Sequence, residues 1–306
     1  MSVPSAASSA PAPAAPPPAP PKFNTVDFVF HIDVLLLALF GLYVLTTLPR
    51  ALSRFFDVPG SGWMLRSRGL YKSNVAPDSA DARTPKLPIR SPRWSTYIHP
   101  FVGCVLHYRV APGFSFGRLC VLGVYFGILM YAGTFKSDPF TNSTREGFIA
   151  ISQVPIVVAL ANKNNVLSFL SGIPYEKLNF IHRFAGRIVV LAINIHFMGY
   201  IYKWSIAGTV AASLSVPFIR WGLAGLVSLD ILALFSTRYV RERSYALFWT
   251  SHVVGFTGLL VSAYYHFPLT HNYVFAAVAL IAFDRLLRLL KTRTQTATLT
   301  QLSSVG

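Results

Sequence analysis

His182 and His196 stand fourteen residues apart in the run LNFIHRFAGRIVVLAINIHFMGY, and His252 and His266 repeat that interval in SYALFWTSHVVGFTGLLVSAYYHFP. Both runs are otherwise apolar and long enough to cross a bilayer as helices. Fourteen residues is close to four helical turns, so the two rings of each pair share a face, about 21 Å apart along the axis. Two such helices running the same way offer two imidazoles at each of two heights. Four histidines placed so can hold two haem irons, each with two axial imidazoles, stacked across a membrane.

The rest of the chain must supply the helices that place these rings. It has 306 residues, 53% of them hydrophobic and only 12% charged, with mean hydropathy +0.49. That composition belongs to an all-α polytopic membrane bundle rather than a water-soluble domain. The net charge of +16 would suggest nucleic acid in a soluble protein. Here the basic residues sit in loops and at helix ends, so they read as topology signals and contacts with anionic lipid, and nucleic acid is not expected.

Residues 1–27 are a Pro/Ala-rich tail with no signal-peptide pattern, expected to be disordered. A first span at 28–48 ends at Pro49 and Arg50, and a polar connection follows to 117, closing on a short interfacial helix in TYIHPFVGCVLHYRV. The haem-carrying unit is 118–291. Its spans are expected at 118–135, 147–161, 179–202, 217–236, 244–267 and 272–291, about seven in all with the first, and 292–306 is a polar tail. The span at 147–161 is short and holds Pro155. Cys104 and Cys120 fit no metal or redox spacing and read as structural, on a side where no disulfide is expected.

The basic residues choose the orientation. Arg238, Arg241 and Arg243, then Arg285, Arg288, Lys291 and Arg293, fall on one side, while Lys136, Arg145 and Lys203 fall on the other. Excess Lys and Arg in short loops marks the cytoplasm. The N-terminus is therefore expected outside and the C-terminus in the cytosol, with Asn142-Ser143-Thr144 as an external glycosylation triplet. The two histidine helices are separated by one span and run parallel. His182 then matches His252 near the inner leaflet, and His196 matches His266 near the outer one.

Smaller features fit the same reading. Gly186, Gly199, Gly255 and Gly258 lie beside the histidines and leave room for a flat macrocycle, or for close helix packing. Arg183 and Arg187, one turn apart at the inner end, are candidates to pair with the propionates of an inner haem, and Arg220 with those of an outer one. Snorkelling to lipid headgroups is the competing role. Phe256 is a candidate to lie between the two levels. His31, His99, His107 and His271 lack the spacing and read as loop or interfacial residues. His271, close to His266, is the one suited to contact a metal substrate.

The stretch from Arg145 to His196 resembles the ferric reductase-like transmembrane family, and most of all the fungal ferric-chelate reductases. The residues that carry the resemblance are Arg145, Gly147, Gln153, Pro155, Lys163-Asn164-Asn165, Gly172, Tyr175-Glu176, Leu178-Asn179, His182-Arg183, Gly186-Arg187 and His196. It continues at Tyr245, Phe248, His252 and His266, and Asp284-Arg285 and Arg288 look like the family's exit from its last helix. The resemblance implies a mechanism. NADPH reduces FAD in the cytosol, and FAD passes electrons singly through two b-type haems. The outer haem then reduces ferric or cupric chelates outside, so that the metal can be taken up. It implies that His182 and His252 ligate the inner haem and His196 and His266 the outer, in an integral protein of the plasma membrane. No glycine-rich dinucleotide fingerprint occurs in the sequence, so FAD and NADPH are expected on a region or a separate flavoprotein donor beyond these residues. The core of a superoxide-producing NADPH oxidase, and a haem-free partner of a complete reductase, are the alternatives.

Overall fold

The computed structural model describes residues 23–52, 101, 103–138, 142–164, 166–171 and 173–292. The N-terminal tail up to residue 22, the connection at 53–100 with His99, Asn165, Gly172 and the C-terminal tail from residue 293 lie outside the described residues. Among the described residues seven long helices carry the fold: α1 (Thr25–Leu52), α2 (Phe116–Thr134), α3 (Thr144–Ala161), α4 (Tyr175–Ile206), α5 (Pro217–Phe235), α6 (Tyr245–His266) and α7 (His271–Lys291). The chain is an all-α polytopic membrane bundle. Among the described residues, α1 to α6 are long and apolar enough to cross a membrane. The expected seventh span, α7, is a helix of the right length but carries Asp284, Arg285, Arg288 and Lys291 in its second half, and it does not meet that measure.

Two details differ from the sequence reading. α1 starts at Thr25 and runs past Pro49 to Leu52, because a proline late in a helix forfeits one backbone bond rather than the whole turn. Of the stretch expected as an interfacial helix, residues 103–107 are helical, and the chain then turns into a two-stranded hairpin, Arg109–Ala111 against Phe114–Ser115. Its turn is Pro112-Gly113, with Gly113 at φ +79°, the left-handed conformation that a glycine adopts freely after a proline. The Arg118 guanidinium fastens it by donating to the Gly113 carbonyl at 2.6 Å.

α3 is the central helix. More than half of its span, 56%, is buried inside the protein. Its polar residues lower its hydropathy because they face protein rather than lipid. Gln153 is the clearest case: its Nε2 donates to Asp33 Oδ1 of α1 at 3.1 Å, and its Oε1 accepts from the Tyr125 hydroxyl of α2 at 2.8 Å. The Tyr273 hydroxyl of α7 also bonds Asp33, and the Ser152 hydroxyl accepts from Gln153 and donates to the Ile149 carbonyl. Four helices thus meet at one polar knot, and each member is satisfied, which a polar group inside a membrane requires.

Below α3, the Lys163-Asn164 turn is clamped to α7. The Asn164 backbone N–H donates to Asp284 Oδ1 at 2.8 Å, Arg288 holds the other carboxylate oxygen at 2.8 Å, and Lys291 donates to Asn164 Oδ1 at 2.9 Å. Apolar packing fills the space between. Val154 and Val158 of α3 meet Val189 and Ala192 of α4, Leu259 and Leu260 of α6, and Val274 and Ala277 of α7 in one core. The most extensive helix pairs are α5 with α6 and α3 with α4, and the two histidine helices make little direct contact with each other. Outward, residues such as Leu37, Leu42, Leu234 and Val254 are more than half exposed, as a lipid-facing surface should be.

Candidate functional site

α4 and α6 carry the four spaced histidines on unbroken helix. The rings of His182 and His252 lie with centroids 6.4 Å apart, tilted by 55°. The rings of His196 and His266 also lie 6.4 Å apart, at 86°. The two helices therefore run parallel and bring together the partners that the spacing pairs, at two levels. Each level holds two histidines: among the described residues no group of three or more His, Cys, Asp or Glu side chains forms a protein cage for a metal.

Each ring is held by its Nδ1. That of His182 donates to the Val157 carbonyl at 2.9 Å, that of His196 to the Ser143 carbonyl at 2.7 Å, and that of His266 to the Phe218 carbonyl at 2.8 Å. His252 Nδ1 meets the Ser236 hydroxyl at 2.9 Å. A carbonyl only accepts, so the three carbonyl bonds put the proton on Nδ1 of His182, His196 and His266 and leave Nε2 with a free lone pair. The carbonyls of Ser143 and Val157, on and before α3, repeat the fourteen-residue interval of α4's histidines. α5 supplies the matching partners for α6.

Two glycines make room for the rings. A Cβ at Gly147 would lie 2.8 Å from Cε1 and Nδ1 of His196, and one at Gly222 would lie 2.6 Å from Cε1 of His266. Of the glycines singled out from the sequence, Gly186 has nothing within 4 Å of its Cβ position, which leaves open space one turn from His182. Gly255 and Gly258 instead meet Ser228 and Leu232 of α5 and serve helix packing, and Gly199 is buried. Phe256 is part-buried against the core.

The geometry can be tested against a bis-imidazole haem. A metal–nitrogen bond of about 2 Å on each side, with each ring centroid about 1.2 Å behind its nitrogen, requires centroids about 6.4 Å apart. Both pairs have that separation. The free nitrogens, the tautomers that carbonyls fix at His182, His196 and His266, and the sparse direct contact between α4 and α6 suit a flat macrocycle between them. The residues present therefore fit the group.

Arg183 and Arg187 are exposed, and Arg183 lies within electrostatic reach of Arg187, Arg118 and Arg241, so positive charge gathers at the His182 end. Arg220 is exposed two residues from Phe218, with its Nε on the Leu214 carbonyl at 3.3 Å. His31 and His107 bond carbonyls of their own helices and stay exposed. His271 stacks on Tyr264 at 4.2 Å and its Nε2 bonds the Tyr264 carbonyl at 2.9 Å. Cys104 and Cys120 are free and exposed. The Asn142-Ser143-Thr144 triplet sits at the closed start of α3, with the Thr144 hydroxyl on the Tyr200 hydroxyl at 2.8 Å.

The sequence reading missed the ring-holding groups and Gly222. It also treated Arg145 as an outer loop residue, whereas its side chain is only 1% exposed. Arg145 donates to the Phe135 carbonyl, and its guanidinium lies 4.8 Å from the Phe23 ring and 5.3 Å from that of Phe28.

Residues 146–263 match the family described as the ferric reductase like transmembrane component. Three fungal proteins are similar over the same core. Ferric reductase transmembrane component 6 of Saccharomyces cerevisiae is 27% identical over 146 residues, which is 46% of this chain and 20% of that protein. Ferric/cupric reductase transmembrane component 1 of Candida albicans is 25% identical over 147 residues, 47% of this chain and 19% of that protein. Ferric/cupric reductase transmembrane component 7 of Saccharomyces cerevisiae is 27% identical over 154 residues, 49% of this chain and 24% of that protein. The chain thus spans about a fifth of the length of the curated relatives it matches.

Proposed function

We propose that this chain, with its ferric reductase-like membrane core, is an oxidoreductase that carries electrons across a membrane to ferric or cupric chelates on the far side, releasing the metal for uptake. His182 and His252 hold the inner of two b-type haems, and His196 and His266 the outer. The observation that carries this reading is the pair of matched ring separations, each between two rings whose Nδ1 groups are engaged by neighbouring groups. Haem bound there supplies one-electron chemistry at two heights across the bilayer. The protein's part is to fix the rings through Val157, Ser143, Phe218 and Ser236, and to exclude water with the apolar core between the levels. Arg183 and Arg187 bind carboxylates at the inner end, and Arg220 does so at the outer end. Electrons come from FAD and NADPH bound beyond the described residues, on a further region or a separate flavoprotein. The orientation is N-terminus outside and C-terminus cytosolic, and the plasma membrane is the place where such chemistry is useful.

The test uses the purified chain in sealed vesicles that contain dithionite, with a ferric chelate outside. Each electron delivered converts one external Fe(III) to Fe(II). External Fe(II) should form in the presence of superoxide dismutase and vanish in His196→Ala. Loss of the signal on adding superoxide dismutase would instead identify oxygen as the acceptor and overturn the ferric reading.

A further inference from the structure

α4 is 32 residues long, about 48 Å, against a hydrocarbon core of about 30 Å. Seven residues of it precede His182 and ten, about 15 Å, stand beyond His196, up to Ile206. On that extension a ladder begins at the histidine itself. The Tyr200 ring lies edge-on to the His196 ring at 5.0 Å, and Trp204 lies 5.4 Å beyond Tyr200, so one face is aromatic at every fourth residue. The Lys203 ammonium sits 5.2 Å from the Tyr200 ring centroid and within electrostatic reach of His196. Thr144 fixes Tyr200 through the 2.8 Å bond between their hydroxyls. Tyr200, Lys203 and Trp204 are all half-buried rather than lost in the core. By the alternation of the helices, the other described charges at this end are Lys136, Arg220, Asp27 and Asp138, with Arg145 and Glu146 buried, so with Lys203 the accessible charges are three positive to two negative.

Tyr and Trp gather at membrane interfaces with no ligand at all, and the Trp221–Tyr265 stack at 4.8 Å is of that kind. The Tyr200–Trp204 ladder differs because it starts on one of the outer imidazoles and carries a cation. We propose that Lys203, Tyr200 and Trp204 form the external docking site for an anionic ferric complex, with Lys203 selecting for negative charge and the two rings giving the flat chelate arms a surface to lie on. This rests on the outer histidine pair being the electron exit.

The test is reoxidation of the dithionite-reduced, desalted protein by two external oxidants, ferric citrate, which is anionic, and a neutral ferric trihydroxamate. Lys203→Gln should slow reoxidation by ferric citrate about fivefold and flatten its salt dependence, because one steering and contact charge is gone. The trihydroxamate rate should stay unchanged, and Lys203→Arg should restore the ferric citrate rate. Equal slowing with both oxidants, or no slowing with either, would overturn the proposal. Equal slowing together with a changed haem spectrum would assign Lys203 to the outer haem instead. Failure of the wild type to reduce either complex would be a failure of the ferric reductase reading, a distinct result.

Discussion

A histidine proposed to bind iron must present one nitrogen bare and hold still; a carbonyl on Nδ1 does both for His182, His196 and His266, and the Ser236 hydroxyl holds the His252 ring. The three carbonyl partners are backbone and cannot be deleted, but Ser236 can. Ser236→Ala should leave the His252 ring in place and loosen it, with about a tenfold loss in inner-haem affinity and a normal outer haem, measured by haem titration of the apoprotein. Gly222→Ala should act on the opposite level. Alanine favours the helix by about 1 kcal/mol over glycine, so α5 itself should not suffer. The new Cβ collides with His266, and the outer haem should be lost while the inner is kept. These ring supports were not legible in the sequence, because a carbonyl acceptor leaves no mark on residue type. Ser143 and Val157 share only their spacing, and that spacing gains meaning once α3 is known to lie against α4. The histidines were legible, since an ionisable ring repeated at equal intervals in an apolar run has few other reasons to exist.

At the scale of elements, the sequence located the helices well where they face lipid and less well where they face protein. α3 reads as the weakest span because it is short and holds Pro155, and its expected start is residue 147; the helix in fact starts at Thr144, and its Arg145, Glu146, Ser152 and Gln153 are buried inside the protein. The hairpin at Arg109–Ser115 was missed although Pro112-Gly113 announces a turn, because its short strands lie inside a stretch with apolar residues that suit a helix. The Lys163-Asn164 motif found its explanation only in the fold, as the partner of Asp284. Removing that carboxylate leaves the Asn164 N–H and the Arg288 guanidinium without it. Asp284→Ala should therefore cost about 2–3 kcal/mol, read as a lower unfolding temperature in detergent, with the haem spectrum of the surviving folded protein unchanged. A shift in that spectrum would mean that the clamp reaches the inner ring pair through α3.

For the molecule as a whole, the two histidine levels stand on either side of an apolar core, and in the proposed function they form a ladder across the bilayer. His182→Ala or His252→Ala should remove the inner haem and stop transfer to the outer level. His196→Ala or His266→Ala should spare the inner haem and abolish external reduction. The most direct measurement is haem per polypeptide on the detergent-purified chain, with a reduced-minus-oxidised spectrum, for the wild type beside His196→Ala. We expect two b-type haems in the wild type and one in the variant. A well-folded wild type without haem, or a variant that still holds both, would contradict the assignment of the paired histidines as axial ligands.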